Sequence, residues 1–369
     1  MLGAPTATAD PHTTMAHEPG FPANYAAARA AFLAAAGAAG ARIASLPVAV
    51  RGPDGAELAI DTAWLGPAAP ARVVLAISGT HGVEGYAGSA VQTHVLQRGI
   101  AIAPGTALVL VHAVNPWGYA HLRRVNENNV DLNRNCLLAG ERYEGAPDAY
   151  RRLDPLLNPP SPPARDGFVW RALPSILRHG FGALRQAVAQ GQYEFERGLF
   201  YGGRRLEEGP RRLLDWCSER LRAVPACLAL DLHTGLGPHG RLTLFADVQT
   251  GAAGAGARLA HGDTRLVFAA DAPDAGGYRT RGEIAGALRE RLPGCAMEYY
   301  TAEFGTCGNL RMLAAMRDEN RCHHWGPAAP DHPARRALLE AFAPSSPTWR
   351  RSVIAGGVAV IAAAVAQDG

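Results

Sequence analysis

A chain of 369 residues exceeds a typical single domain but lies within the reach of one large α/β enzyme domain. With 48% hydrophobic and 19% charged residues it cannot be a disordered chain, and it has ample material for a core. Its 36 basic and 33 acidic residues leave a net charge of +3, which gives no argument for nucleic acid or an anionic membrane as a partner.

Residues 1–22 are rich in Pro, Thr and His and are expected to be loose. They lack a basic stretch followed by an apolar run, so no signal peptide is read and a cytoplasmic location is expected. The Ala-rich "YAAARAAFLAAAGAAGARIASL" is long enough for a helix. "ELAIDTAWLG" reads as a strand, and "ARVVLAISG" as a fully buried one that stops at glycine. "SAVQTHVLQRG" is helical up to Gly99, and "TALVLVHAVNP" is a second buried strand. Residues 136–226 are poor in strands, with a Pro-rich loop and several basic amphipathic helices. "ACLALDLHTG", "RLTLFAD" and "GCAMEYYTAEFGT" supply three further strands. Near the end, "VIAGGVAVIAAAVA" is too short to span a bilayer and fits a helix packed on a core. The six cysteines, at 136, 217, 227, 295, 307 and 322, form no CxxC pair and read as buried, reduced thiols.

Strands alternating with helices imply an α/β sandwich with helices on both faces, and such sheets gather ligands beyond the carboxyl ends of their strands. His81, Asn115, His233 and Glu303 all stand at or just beyond apolar strand runs. His81 and Glu84 form an HxxE pair in which an imidazole and a carboxylate can converge. Alone, the pair is common, and a surface histidine near an N-capping glutamate explains it as well. His233 changes the weighing, because it ends a buried strand 149 residues beyond Glu84. Two imidazoles and one carboxylate are a standard set for a catalytic zinc, with the fourth position left for water. His94 reads as a helix-face residue and His112 as strand packing.

The run "RRVNENNVDLNRN", residues 123–135, has a plain reading as a solvated loop. Against it, two arginines and an asparagine behind a core strand make a fork for a substrate carboxylate. An aspartate in the same loop can hold a ligating imidazole by its second nitrogen.

"GTHGVEG", "NPWGYAHLRRVNENNVDLNRN", "DLHTG" and "AEFGT" occur in the order and approximate spacing of the zinc carboxypeptidase superfamily, which includes succinylglutamate desuccinylase and aspartoacylase enzymes. From about residue 70 to 310 the chain resembles that superfamily, and "SGTHGVEGYAGSA" is most similar to a bacterial branch long described only as uncharacterised. The resemblance implies a single α/β/α sandwich around a mixed, mostly parallel sheet of about eight strands. This catalytic domain would span 23–369, with 136–226 as a strand-poor insert. The resemblance further implies one Zn2+ per chain held by His81, Glu84 and His233, with Glu303 as the general base. Arg124 resembles the arginine that polarises the scissile carbonyl. Asn133 and Arg134 resemble the pair that grips a terminal carboxylate, and Asp131 the partner of the first zinc histidine.

Glu303 is preferred to Glu298, five residues earlier on the same strand and so on the opposite face. A carboxylate on an apolar strand is costly unless paired or functional. The family's mobile tyrosine has a loose counterpart in Tyr278, within "DAGGYRTRGE", which fits a substrate-binding role and a plain loop residue equally. Arg279 and Arg281 beside it suit a second anionic group or solvent. "RCHHW", residues 321–325, lacks an acidic partner and reads as a surface loop.

The implied activity is zinc-dependent hydrolysis of an amide bond next to a free carboxylate, most like a metallocarboxypeptidase and alternatively an N-acyl amino acid deacylase. The substrate would be a small peptide or N-acyl amino acid, with neither nucleic acid nor membrane as partner. A non-catalytic carboxylate-binding protein on the same fold is the competing class, disfavoured because ligands, arginine and base occur together. Serine or cysteine nucleophiles lack support: "AISGTHG" has no GxSxG elbow and Cys307 no paired base.

Overall fold

Four largely buried strands run parallel down the middle of one sheet: β4 (Thr106–His112), β3 (Arg72–Ser78), β5 (Ala226–Gly235) and β8 (Ala296–Gly305), in that order, with β3 and β4 the most continuously apolar. Their continuous apolar runs follow from burial on both faces. The computed structural model describes residues 20–247, 249–250, 255–260, 262–268, 280–327, 329 and 331–367. On one side β2 (Glu57–Leu65) and β1 (Arg42–Arg51) extend the sheet antiparallel, and on the other β6 (Leu242–Ala246) and β7 (Arg265–Val267) complete it. Among the described residues the sheet therefore has eight strands in the order β1-β2-β4-β3-β5-β8-β6-β7, with four of its seven pairings parallel. That is the mixed, mostly parallel architecture expected.

Helices cover both faces. Phe32 and Ala36 of the helix Tyr25–Ala38, Val91 and Val95 of Gly85–Arg98, and Val353 and Ile361 of Pro347–Val365 pack on Val74, Ala76, Leu230 and Phe304. On the opposite face, Leu213, Leu214 and Trp216 of Glu208–Arg220 and Ile284 and Leu288 of Ile284–Arg291 pack on Leu75, Ile77 and Ala229. The alternation along each strand thus feeds two separate cores, as the period of two requires.

Three local readings change. The Ala-rich helix stops at Ala38, and Gly40 turns the chain at a φ of +68° into β1. β1 tolerates Pro47 because it is an edge strand. "RCHHW" is no surface loop: Cys322, His323 and His324 lie in the last turns of the helix Asn309–Trp325, with Cys322 buried. The C-terminal helix runs to 19 residues, long and apolar enough by length and composition to cross a membrane, and here it buries Trp349, Val353 and Ile361 in the core. All six cysteines are free, with Cys295 and Cys307 only partly buried. Between β4 and β5 the described residues form helices and loops, with one isolated bridge between Gln192 and Tyr201. Tyr278 and Arg279 lie outside the described residues.

Candidate metal centre

β3 ends at Ser78, and the chain turns at Gly79, whose φ is +63° and whose missing Cβ would stand 2.8 Å from Ala113 Cβ. The turn carries His81 into the cleft, and a short 3-10 turn at Gly82–Glu84 brings Glu84 round beside it. Backbone bonds from Gly82 N to Arg124 O (3.1 Å) and from Val83 N to Arg123 O (3.0 Å) pin this turn to the loop after β4. From β5, His233 arrives opposite Glu303 of β8 in the parallel register. His81 and Glu84 lie just past the carboxyl end of β3, and His233 and Glu303 two residues inside the carboxyl ends of β5 and β8, so the group gathers at that edge of the sheet.

The geometry is convergent. His81 Nδ1 lies 2.9 Å from Glu84 Oε1, and His233 Nδ1 lies 3.0 Å from Glu84 Oε2. The imidazoles meet edge to face, with centroids 4.9 Å apart. One ligand atom from each of His81, Glu84 and His233 falls within 4.8 Å of the others, and all three residues are buried. Among the described residues this is the one such group of three or more His, Cys, Asp or Glu side chains.

The donor set fits a divalent cation. His81 Nδ1 is buried and meets Glu84 Oε1 at 2.9 Å outside hydrogen-bond geometry, while its Nε2 is held 2.9 Å from Asp131 Oδ1. An unpaired buried ring nitrogen facing a carboxylate is expensive unless a cation lies between them. Asp131 is fully buried, bonds Arg124 Nη1, and accepts from Asn133 N at 3.0 Å. Burial would raise its pKa, yet Arg124 and His81 hold the carboxyl well below the usual range. Glu84 follows the same logic: burial pushes up, His81 and His233 pull down further, and the group stays ionised.

The second histidine has a partner the sequence reading passed over. Asp231, two residues before His233 on the same face of β5, lies 2.9 Å from His233 Nε2. It accepts from Thr80 Oγ1 at 3.0 Å and Tyr299 OH at 2.8 Å, so it is fixed on three sides. Burial alone would lower the His233 pKa, but Asp231 and Glu84 more than offset it and raise it well above the ordinary value. The aspartate at i−2 in "DLH" was the available signal.

Glu303 lines the same cleft, accepting from Leu236 N at 3.2 Å. Burial raises its pKa to about 7, with Glu84 adding to the rise and His233 opposing it. Glu298 faces the other way, accepting from Ala255 N and Tyr300 OH beneath the sheet. Arg124 and Arg134 both enter the cleft and lie over Phe200, at 5.3 and 5.8 Å from its centroid. Arg134 Nε donates to Ala189 O at 2.8 Å and Nη1 to Asn133 O at 2.6 Å. Asn133 reaches the cleft as well, but its Oδ1 already accepts from Ile284 N at 3.1 Å. Glu283, unforeseen, also lines the cleft, its pKa raised by burial and drawn back by Arg134. His94 bonds Ala90 O along its own helix, and His112 stacks on Phe32, both away from the cleft. Arg281 spans to Glu141 and Arg142 O.

No curated protein matches the chain. Solved structures of similar fold include carboxypeptidase A from Helicoverpa armigera, 14% identical, covering 94% of this chain and 74% of that one at a TM-score of 0.46. Murein-tripeptide amidase MpaA from Escherichia coli O157 is 18% identical, covering 78% and 93% at 0.34. Glutaminyl cyclase from Porphyromonas gingivalis is 12% identical, covering 94% and 92% at 0.37. At such identities and scores the chemistry must be argued from the site itself. The family described as "Protein of unknown function (DUF2817)" matches residues 21–356, and the chain belongs to it.

Proposed function

We propose that the protein is a hydrolase that binds one zinc ion per chain and cleaves an amide bond adjacent to a free carboxylate, carboxypeptidase-like in its chemistry. The observation that carries this reading is the convergence of His81, Glu84 and His233 with Glu303 on the next strand. Zinc held by that set supplies a Lewis acid and lowers the pKa of water towards 7. Glu303 takes the proton of the attacking water and returns it to the leaving amine. Arg124, aimed by Asp131, stabilises the negative charge that develops on the carbonyl oxygen. Arg134, with Asn133 beside it, grips the substrate carboxylate, the fork geometry for which guanidinium is suited.

The substrate is a small peptide or an N-acyl amino acid. One observation favours the deacylase form of the reading: helices of the strand-poor insert line the cleft with apolar side chains, which suit an acyl chain better than a polar peptide backbone. The test is a zinc-loaded preparation given paired substrates, free acid and amide, from both classes. Amidation is expected to lower kcat/KM about ten- to a hundredfold, since charge-assisted hydrogen bonds contribute roughly 1.5–3 kcal/mol. Arg134→Gln is expected to impose a similar loss on the acid and little on the amide. Equal cleavage of acid and amide by the unaltered protein would overturn the carboxylate clamp.

A further inference from the structure

The cleft has a volume of about 380 Å³, within the roughly 300–1,000 Å³ of small-molecule sites. Its inner end is polar, at His81, Glu84, Arg124, Arg134, His233 and Glu303. Asp247, Thr280, Glu283 and Thr301 extend this polar side, and the helical side of the cleft differs from it. The helices Asp148–Leu157, Phe168–His179, Phe181–Ala189 and Asn309–Trp325 contribute its wall, and among their described lining residues only Arg185 and Asn309 are polar. Leu153, Phe168, Val188, Phe200, Met312 and Phe342 carry the apolar surface. An apolar cavity costs stability, because its lining forfeits contacts that a collapsed core would make. A wall of this kind beside a metal centre is explained by a ligand that fills it. A small-acyl substrate such as an acetyl or succinyl derivative would leave most of it empty. The helix Phe168–His179 also turns Trp170 and Leu177, each 77% exposed, outward beside Arg171 and Arg178, the pattern of a helix at a lipid–water boundary where amphiphiles concentrate.

From this we infer that the substrate is an amphiphile: an amino acid N-acylated by a medium or long hydrocarbon chain, with its amide at His81, Glu84 and His233 and its chain along the Leu153–Phe168–Met312 wall. The inference rests on the hydrolase reading and names its substrate class. Water adds its oxygen to the acyl carbon, the C–N bond breaks, and the proton goes to the nitrogen, releasing fatty acid and free amino acid.

The experiment holds the head group constant and lengthens the chain, from acetyl- through hexanoyl- to decanoylglycine, below the concentration at which micelles form. The specificity constant kcat/KM is expected to climb about three- to fourfold per methylene buried, exceeding a hundredfold overall. Leu153→Ser and Met312→Ser, at half-buried wall positions, are each expected to lower the decanoyl-to-acetyl ratio about tenfold, and Met312→Leu to preserve it. A flat or falling dependence on chain length, with the acetyl compound cleaved, would overturn the inference and leave the hydrolase reading intact. Calorimetric titration of Glu303→Gln supplies a second readout. Decanoylglycine binding at least a hundredfold tighter than acetylglycine supports the apolar subsite even if nothing is hydrolysed, an outcome that would instead sink the hydrolase reading. Equal affinities for the two compounds would overturn the subsite.

Discussion

Glu303 is set apart from the other acidic groups of the cleft by what surrounds it. Glu84 and Asp131 face imidazole and guanidinium and stay ionised, whereas burial lifts Glu303 to about 7, where a carboxylate can both accept and return a proton. Glu303→Gln keeps the shape and removes the basic site. Turnover is expected to fall by about two to four powers of ten with the metal content unchanged, read by steady-state kinetics and elemental analysis on one preparation. Loss of activity in Glu298→Gln with Glu303→Gln still active would place the base on the wrong face of β8. Asp231 makes a different prediction. It lies 2.9 Å from the ring nitrogen of His233 that does not face Glu84, so Asp231→Asn is expected to weaken metal binding about ten- to a hundredfold, measured by chelator competition. An unchanged affinity would mean that Thr80 and Tyr299 hold Asp231 for packing alone.

At the scale of elements, the packing of β4 against the helices Tyr25–Ala38 and Gly85–Arg98 encloses a titratable group far from the chemistry. His112 is fully buried, stacked on Phe32 at 4.8 Å and 2.8 Å from Ser89 Oγ, and burial pushes its pKa down to about 4. The folded protein therefore refuses a proton that the unfolded chain accepts near 6.5. Stability from this group is complete above about 6.5 and drains away as the pH falls towards about 4, by about 3 kcal/mol in all. Urea unfolding of His112→Gln against the unaltered protein should show that the variant loses less stability across this window; parallel curves would refute the assignment. The elements themselves were unequally readable in the sequence. β3, β5 and β8 announce themselves as apolar runs ending in glycine or a polar residue, and the helix Gly85–Arg98 by its stop at Gly99. β1 did not, because an edge strand carries Pro47 and half-exposed residues and follows an Ala-rich helix without a strong break. β7, three residues long, offers no period to detect.

Over the whole molecule, the candidate metal ligands were readable and much of their surroundings was not. His81, Glu84 and His233 stand at strand ends in recognisable motifs, so spacing along the chain reveals them. Asp231 was visible only to a reading that asked which residue shares a strand face with His233, and Glu283 is brought to the cleft by tertiary packing with no local signature. The apolar wall was hidden for the same reason: Leu153, Phe168 and Met312 belong to three separate helices, each of which alone resembles an ordinary packing surface. Because Glu84 and His233 are 149 residues apart in sequence, a cation held between them would join β3 to β5 only in the folded chain, and its binding free energy would add to folding free energy. Metal content of the purified protein, compared with the His81→Ala, His233→Ala double variant of confirmed secondary structure, tests this most directly. Close to one equivalent of zinc per chain is expected in the first and almost none in the second. One equivalent persisting in the double variant would contradict that expectation.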